Sequence, residues 1–164
     1  MCGIFGIVGQ YKRNYDLFEE SCIKYLGKRG PDGISTLKNE NLYFSHSRLA
    51  INDLSPAGSQ PFFDGERSIY SITNGEIYNH KELREINRIK VKTNNDCAII
   101  PDLYLLFGDN FLSKINGMYA MAIADYKKKI INICRDPEGI KPLYYFENEN
   151  FMAFSSSCQQ LASL

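Results

Sequence analysis

The sequence predicts an α+β fold built mainly from antiparallel sheets. Two observations favour this class: strand-length apolar runs follow one another across short turns, and the helical segments stand in separate blocks rather than alternating strictly with strands. The 164 residues suit one domain, and no internal repeat or long linker divides them. We therefore expect a single domain over residues 1–164.

The elements of the first half follow from local patterns. Residues 3–9 form a short apolar run punctuated by glycines, which is typical of a buried strand. Residues 16–27 place apolar side chains at helical spacing and end at a glycine, so a helix is predicted there. Strands are predicted over 42–51 and 68–73, and a turn is predicted at Asn74-Gly75.

The second half begins with a short polar helix, predicted around 80–88. Asn95 or Asp96 can cap a further helix that runs to about residue 107. Pro101 falls in the first turn of that helix, where a proline costs little. The remaining apolar runs predict consecutive strands over 118–125, 129–135, 142–147 and 150–156.

Composition excludes several classes of function. The 19 basic and 19 acidic residues cancel, so no net charge favours nucleic acid or an anionic membrane as a partner. No apolar run approaches the length of a membrane span, and no signal peptide is visible. The five cysteines are odd in number and widely spaced, which argues against a disulfide framework and a zinc site. We expect a reduced, cytoplasmic protein without a metal.

The most informative residue is Cys2, directly behind the initiator Met1. Removal of Met1 would leave a thiol and a free α-amine on one residue. Their reference pKa values are about 8.5 and about 7.7–8.0, so the pair could act as nucleophile and base near neutral pH. A cysteine at this position can also be accidental.

Other residues have the chemistry that such a nucleophile needs. Asn74-Gly75 offers a side-chain amide and a backbone N–H for an oxyanion hole, or is simply a hairpin turn. Arg48 could bind a carboxylate, or be a surface residue of a strand. Asp96 could bind an ammonium group, or be a helix cap. Spacing alone does not show that these residues meet, so both interpretations stay open for each.

Seven sequence blocks, taken together, carry more information than any single residue. The first are Met-Cys-Gly-Ile-Phe-Gly at 1–6, Arg-Gly-Pro-Asp-Gly at 29–33 and His-Ser-Arg-Leu-Ala-Ile-Asn-Asp at 46–53. The others are Gly-Ser-Gln-Pro at 58–61, Asn-Gly-Glu-Ile-Tyr-Asn-His at 74–80, Gly-Met-Tyr-Ala-Met-Ala at 117–122 and Arg-Asp-Pro-Glu-Gly-Ile-Lys-Pro-Leu-Tyr-Tyr at 135–145. With these blocks the chain resembles the N-terminal glutaminase domain of asparagine synthetases, which belongs to the class II glutamine amidotransferases of the N-terminal-nucleophile hydrolase superfamily.

The resemblance implies a four-layer αββα sandwich and hydrolysis of L-glutamine to glutamate and ammonia. After loss of Met1, the thiolate of Cys2 would attack the side-chain amide, with its own amine as base. Water would then hydrolyse a γ-glutamyl thioester. This half-reaction needs no metal and no organic cofactor.

The resemblance also implies the remaining site residues. The Asn74 side chain and the Gly75 N–H would form the oxyanion hole, and Arg48 would hold the α-carboxylate of glutamine. The residues that complete the glutamine pocket would be Glu76 and Asp96 at the α-ammonium end, with the backbone of Ile51 and Asn52 lining it.

Two departures leave an alternative open. The family usually has Ser-Asp-x-Glu where this chain has Asn-Asp-Cys-Ala at 95–98, and the segment 154–157 also differs. We expect the lost glutamate at residue 98 to weaken the pocket or the helix cap. The Ser-Gly-Gly-x-Asp-Ser pyrophosphate loop is absent, so this chain would supply ammonia to a separate synthetase-type chain. Otherwise it would be a non-catalytic glutamine-binding or interaction module, a remnant of an asparagine synthetase.

Overall fold

The computed structural model describes residues 1–11 and 15–164. The strands in this part of the chain are β1 Gly3–Gly9, β2 Ile34–Asn39, β3 Leu42–Ser47, β4 Phe62–Phe63, β5 Ile69–Ile77, β6 Gly117–Asp125, β7 Ile130–Arg135, β8 Tyr144–Glu147 and β9 Phe151–Ser155. The α-helices there are α1 Tyr15–Leu26, α2 His80–Ile86, α3 Ile100–Phe107 and α4 Cys158–Ala162. Short 3₁₀ helices cover Pro56–Gly58, Asp96–Ile99 and Gly108–Ser113.

The strands of the described residues form two antiparallel sheets. Sheet I has the order β2-β3-β1-β9-β8, and sheet II has the order β4-β5-β6-β7. In sheet I, Gly3 of β1 pairs with Ser47 of β3. This register brings the start of the chain beside the end of β3, where Arg48 follows.

Three apolar clusters show how the layers stack. The inter-sheet layer, between sheets I and II, contains Ile4, Leu42, Phe44, Ile72, Ala120, Ala122, Ala124 and Phe154. On the other face of sheet I, Phe18 and Leu26 of α1 pack against Phe5 and Tyr43. On the other face of sheet II, Leu103 of α3 packs with Ile69 and Met121. The layers are therefore α-β-β-α, which confirms the α+β fold class.

The inter-sheet layer changes from apolar to polar at one end. Side chains alternate between the two faces of a strand, so Leu42, Phe44 and His46 of β3 share the inner face. Ile72 and Asn74 share the inner face of β5 in the same way. His46 and Asn74 are buried. The two sheets thus present polar side chains to each other at this end, and the candidate site lies there.

Two predictions about elements are wrong. Asn74 and Gly75 do not form a turn: they lie inside β5, paired with Ala120 and Tyr119 of β6. The nine-residue pairing with β6 supplies backbone hydrogen bonds that outweigh the turn preference of Asn-Gly. The strand predicted over 42–51 ends at Ser47. Within the described residues, no helix is both long enough and apolar enough to span a membrane.

Candidate active site

A cavity of about 340 Å³ lies at the polar end of the inter-sheet layer. All eight residues predicted for the site line it. From the side of sheet I come Cys2, Arg48, Ile51 and Asn52, and from β5 and the 3₁₀ turn at 96–99 come Asn74, Gly75, Glu76 and Asp96. The structure therefore brings together residues that lie up to 94 positions apart in the chain, from Cys2 to Asp96.

Cys2 sits half-buried at the start of β1 with two backbone restraints. The Leu49 N–H donates a hydrogen bond to its Sγ at 3.3 Å, and Arg29 Nε donates to its carbonyl oxygen at 3.2 Å. Met1 precedes it and is exposed, so the amino group of Cys2 is part of a peptide bond until Met1 is removed. Leu49 thus positions the thiol, and Arg29 positions the backbone of the same residue.

Arg48 is positioned by backbone hydrogen bonds to residues 32–33 and by guanidinium hydrogen bonds to the loop at 55–59. Its N–H donates to the Gly33 carbonyl at 2.8 Å, and its carbonyl accepts from the Asp32 N–H at 2.9 Å. Its Nη1 donates to the Ser55 carbonyl at 3.0 Å. A Cβ at Gly58 would lie 2.5 Å from Nη2, so a larger residue there would require the guanidinium to shift. Arginine has five N–H donors, which leaves capacity for a ligand carboxylate.

Asn74 provides a free hydrogen-bond donor in the cavity, and Gly75 marks a close approach between β5 and β6. The Nδ2 of Asn74 is buried and has no hydrogen-bond partner among the described residues. An unpaired buried amide costs about 1–3 kcal/mol, so it is suited to an acceptor that a ligand brings. A Cβ at Gly75 would lie 2.4 Å from the Met118 carbonyl oxygen of β6. Glycine therefore allows the two strands to approach closely at this point.

Asp96 is a buried carboxylate whose two oxygens are oriented by hydrogen bonds. Oδ2 accepts from the Ile77 N–H at 2.6 Å, and Oδ1 accepts from Asn52 Nδ2 at 2.8 Å. Cys97 Sγ also donates to Oδ2 at 3.5 Å, so Oδ1 is the oxygen with a lone pair left for a ligand ammonium. Glu76 is exposed at the mouth of the cavity. Burial, with the charge of Asp96 as the second cause, raises the pKa of the neighbouring Cys97 thiol well above its usual value.

Sequence reasoning missed His46, which also lines the cavity. Burial, with the charge of Arg48 as the second cause, lowers the pKa of His46 to about 3, so its imidazole is neutral. The nearby backbone of Thr73 acts in the opposite direction and raises the pKa in part. Neither ring nitrogen has a hydrogen-bond partner among the described residues. The alternation Leu42, Phe44, His46 is the signal that could have identified it.

Sequence reasoning also missed two supports of the site, Arg29 and Asp32. Both belong to the Arg-Gly-Pro-Asp-Gly loop, which was noted only as a family motif. Arg29 binds the Cys2 carbonyl, and Asp32 Oδ2 accepts from the Ala50 N–H at 2.8 Å. The loop therefore steadies the nucleophile and the segment after Arg48. In the part of the chain that the structure describes, His, Cys, Asp and Glu side chains form no group of three or more that could hold a metal.

Comparisons with known proteins find matches along the whole chain. The sequence model of the glutamine amidotransferase domain matches residues 1–164. The glutamine-hydrolyzing asparagine synthetase 2 of Arabidopsis thaliana is 36% identical over 178 residues, covering 99% of this chain and 30% of the relative. A putative glutamine-hydrolyzing asparagine synthetase 2 of Methanocaldococcus jannaschii is 35% identical, covering 100% of this chain and 35% of the relative. The chain thus spans about a third of these relatives.

A solved structure shows the same fold at low sequence identity. It is the glutamine phosphoribosylpyrophosphate amidotransferase of B. subtilis complexed with ADP and GMP. The TM-score is 0.78 and the identity 19%, over 98% of this chain and 43% of that one. The likeness confirms the sandwich architecture.

Proposed function

We propose, from the premise that this chain belongs to the glutamine amidotransferase domain family, that it hydrolyses L-glutamine to glutamate and ammonia. Residues 1–164 would act as one glutamine amidotransferase unit. The observation that carries the proposal is the buried, unpartnered amide of Asn74 in the same cavity as Cys2, Arg48 and Asp96. A hydrogen-bond donor without a partner, beside a thiol, is what a developing oxyanion needs.

In the proposed reaction, Cys2 is the nucleophile once Met1 has been removed. Its α-amine takes the thiol proton, and the thiolate attacks the side-chain carbonyl carbon of glutamine. Asn74 Nδ2 and the Gly75 N–H stabilise the resulting oxyanion. The C–N bond then breaks, ammonia leaves with the transferred proton, and a γ-glutamyl thioester remains. Water adds to that thioester, the C–S bond breaks, and glutamate is released.

The charged groups of the cavity fit the two ends of an α-amino acid. Arg48 would hold the α-carboxylate through the guanidinium donors that its own loop leaves free. Asp96 would accept from the α-ammonium, with Glu76 nearby at the mouth. The backbone of Ile51 and Asn52 would complete the wall, and the side chain of Asn52 steadies Asp96. The set requires no metal or organic cofactor for this half-reaction.

The names and lengths of the relatives suggest where the ammonia would go. The relatives are named as asparagine synthetases, and the chain spans only about a third of their length. We propose that the ammonia passes to a synthetase-type acceptor, as a separate chain or as a further part of the same protein. The free state of Cys2, Cys22, Cys97, Cys134 and Cys158 in the structure supports a reducing, cytoplasmic location.

The decisive experiment measures ammonia release from L-glutamine by protein whose intact mass shows loss of Met1. The control variants are Cys2→Ala, which removes the proposed nucleophile, and Cys158→Ala, which removes an exposed thiol outside the cavity. We expect wild type and Cys158→Ala to release ammonia and Cys2→Ala to release none. If wild type releases no more than Cys2→Ala while still binding glutamine, the domain is a glutamine-binding module and the proposal is wrong.

A further inference from the structure

The inner end of the cavity contains two buried polar side chains whose hydrogen-bonding groups are unused. His46 and Asn74 are each 1% exposed and line the cavity. Both ring nitrogens of His46 and Asn74 Nδ2 have no hydrogen-bond partner within residues 1–11 and 15–164. By contrast, Ile51, Asn52 and Glu76 mark the exposed mouth. Buried polar groups are nearly always paired, so this concentration needs an explanation.

We propose that this inner end is a subsite for one small, neutral molecule that donates and accepts hydrogen bonds: the ammonia released from glutamine, and then the water that replaces it. The inference rests on the proposed glutaminase function. His46, which the proposed reaction has not used, is its central residue.

The chemistry of the two side chains selects such a ligand. A neutral imidazole offers one donor and one acceptor, and the Asn74 amide nitrogen offers donors only. Ammonia and water each supply at least one acceptor and several donors. An ammonium ion has no acceptor, so it cannot satisfy the donors of the Asn74 amide.

The neutrality of His46 suits this role. Burial keeps its pKa at about 3, so the imidazole carries no proton that it could give to ammonia near neutral pH. Its neutral ring can therefore accept a hydrogen bond from ammonia without converting it to ammonium. Ammonia that stays neutral remains nucleophilic, which is what an acceptor enzyme requires.

One subsite can serve both molecules because they occupy the same position in turn. In the first tetrahedral intermediate, the departing nitrogen lies on one face of the carbon that becomes the thioester carbonyl. Ammonia that re-adds to the thioester must retrace its path of departure, and water, a nucleophile of similar size, attacks the same carbon to form the second intermediate. A group that binds the departing ammonia is thereby placed to bind the incoming water.

The kinetic test compares His46→Leu with His46→Gln, which keeps a donor and an acceptor. Ser71→Ala is the matched control, since it removes a buried, unpartnered hydroxyl of β5 that does not line the cavity. Loss of one hydrogen bond in the transition state corresponds to about a tenfold fall in kcat. We expect that fall in His46→Leu with KM for glutamine nearly unchanged, substantial recovery in His46→Gln, and no change in Ser71→Ala. Equal kcat in wild type and His46→Leu would overturn the inference.

Two further arms separate ammonia from water. Exchange of ¹⁵N-ammonia into glutamine reports entry of ammonia at the thioester, and hydrolysis of the γ-methyl ester of glutamate reports entry of water without any ammonia release. If His46→Leu impairs both, the subsite serves both molecules. If it impairs one arm alone, the subsite serves that molecule alone, and if it impairs neither, the subsite does not exist.

A direct measurement covers the case in which His46→Leu fails to fold. In a high-resolution crystal structure of the wild type, we expect an ordered molecule within about 3.2 Å of a His46 ring nitrogen and of Asn74 Nδ2. An empty inner end would refute the subsite. This result is independent of turnover, so failure of the proposed function, seen as no ammonia above the Cys2→Ala control, is distinguishable from failure of the subsite.

Discussion

The neutral state of His46 makes a quantitative prediction about folding. The pKa of His46 is about 3 in the folded chain, against about 6.5 in an unfolded one. Because the pKa of His46 is lower in the folded chain than in the unfolded one, keeping His46 neutral contributes fully to the free energy of unfolding above about pH 6.5. This contribution is lost as the pH falls toward 3. Proton linkage then gives a loss of about 2 kcal/mol between about pH 7.5 and about pH 5.0 from this one residue.

The perturbation is His46→Leu, which removes the titrating group and two unpaired buried nitrogens. At about pH 7.5, replacing a buried, unpartnered polar side chain by an apolar one of similar size should leave stability unchanged or raise it. At about pH 5.0, the variant should be more stable than wild type by roughly a further 2 kcal/mol. Stability and catalysis would thus move in opposite directions, since the same change is expected to slow turnover.

Urea denaturation of both proteins at both pH values measures this effect. For a urea slope of about 2 kcal/mol/M, the midpoint of wild type should fall about 1 M further than that of the variant between about pH 7.5 and about pH 5.0. Other groups whose pKa values shift on folding, such as His80, whose pKa burial lowers, are present in both proteins and cancel in the difference. Identical midpoint shifts would mean that His46 can ionise in the folded state, and would refute its buried neutrality.

Further predictions concern the other wall residues. Asn74→Ala should lower kcat for glutamine hydrolysis about 10²–10³-fold with an intact fold, as measured by ammonia release and circular dichroism; an unchanged kcat removes the amide from the oxyanion hole. Gly75→Ala should destabilise the chain and abolish turnover, because its Cβ would meet the Met118 carbonyl at 2.4 Å; wild-type thermal stability would contradict this. Arg48→Ala should raise KM for glutamine at least about tenfold, since a charge-assisted hydrogen bond is worth about 1.5–3 kcal/mol. An unchanged KM would exclude Arg48 from glutamine binding. Intact-mass analysis should show loss of Met1 in active protein.

How far the fold was predictable depends on which faces each strand buries. β1 and β6 bury continuous apolar runs, and residues 3–9 and 118–125 were predicted within one residue of their observed bounds. β2 was missed because it is an edge strand that pairs only with β3 and exposes most of its residues, so its sequence lacks a clear apolar face. The Asn-Gly pair of β5 carried a strong local turn signal, which long-range pairing with β6 overrides.

The site was predictable as a set of residue types but not as a geometry. Cys2, Arg48 and Asp96 could be selected by chemistry and by family motifs, whereas their convergence depends on registers such as Gly3 opposite Ser47. No local pattern determines which residues of two distant strands pair. His46 is different, because alternation along β3 places it on the inner face with Leu42 and Phe44. A polar residue in an apolar row can be recognised from the sequence alone and indicates a buried polar site.

The contacts of residues 95–98 explain why their difference from the family pattern need not weaken the site. The lost family glutamate was expected to weaken the pocket or the helix cap. Instead, the Asn95 side chain caps the 3₁₀ turn by accepting from the Cys97 N–H at 3.0 Å. Ala98 is 4% exposed within the apolar cluster under α3, and Asp96 is oriented by Ile77 and Asn52 rather than by residue 98. Since neither the cap nor Asp96 depends on residue 98, Ala98 gives no structural reason to regard the cavity as inactive.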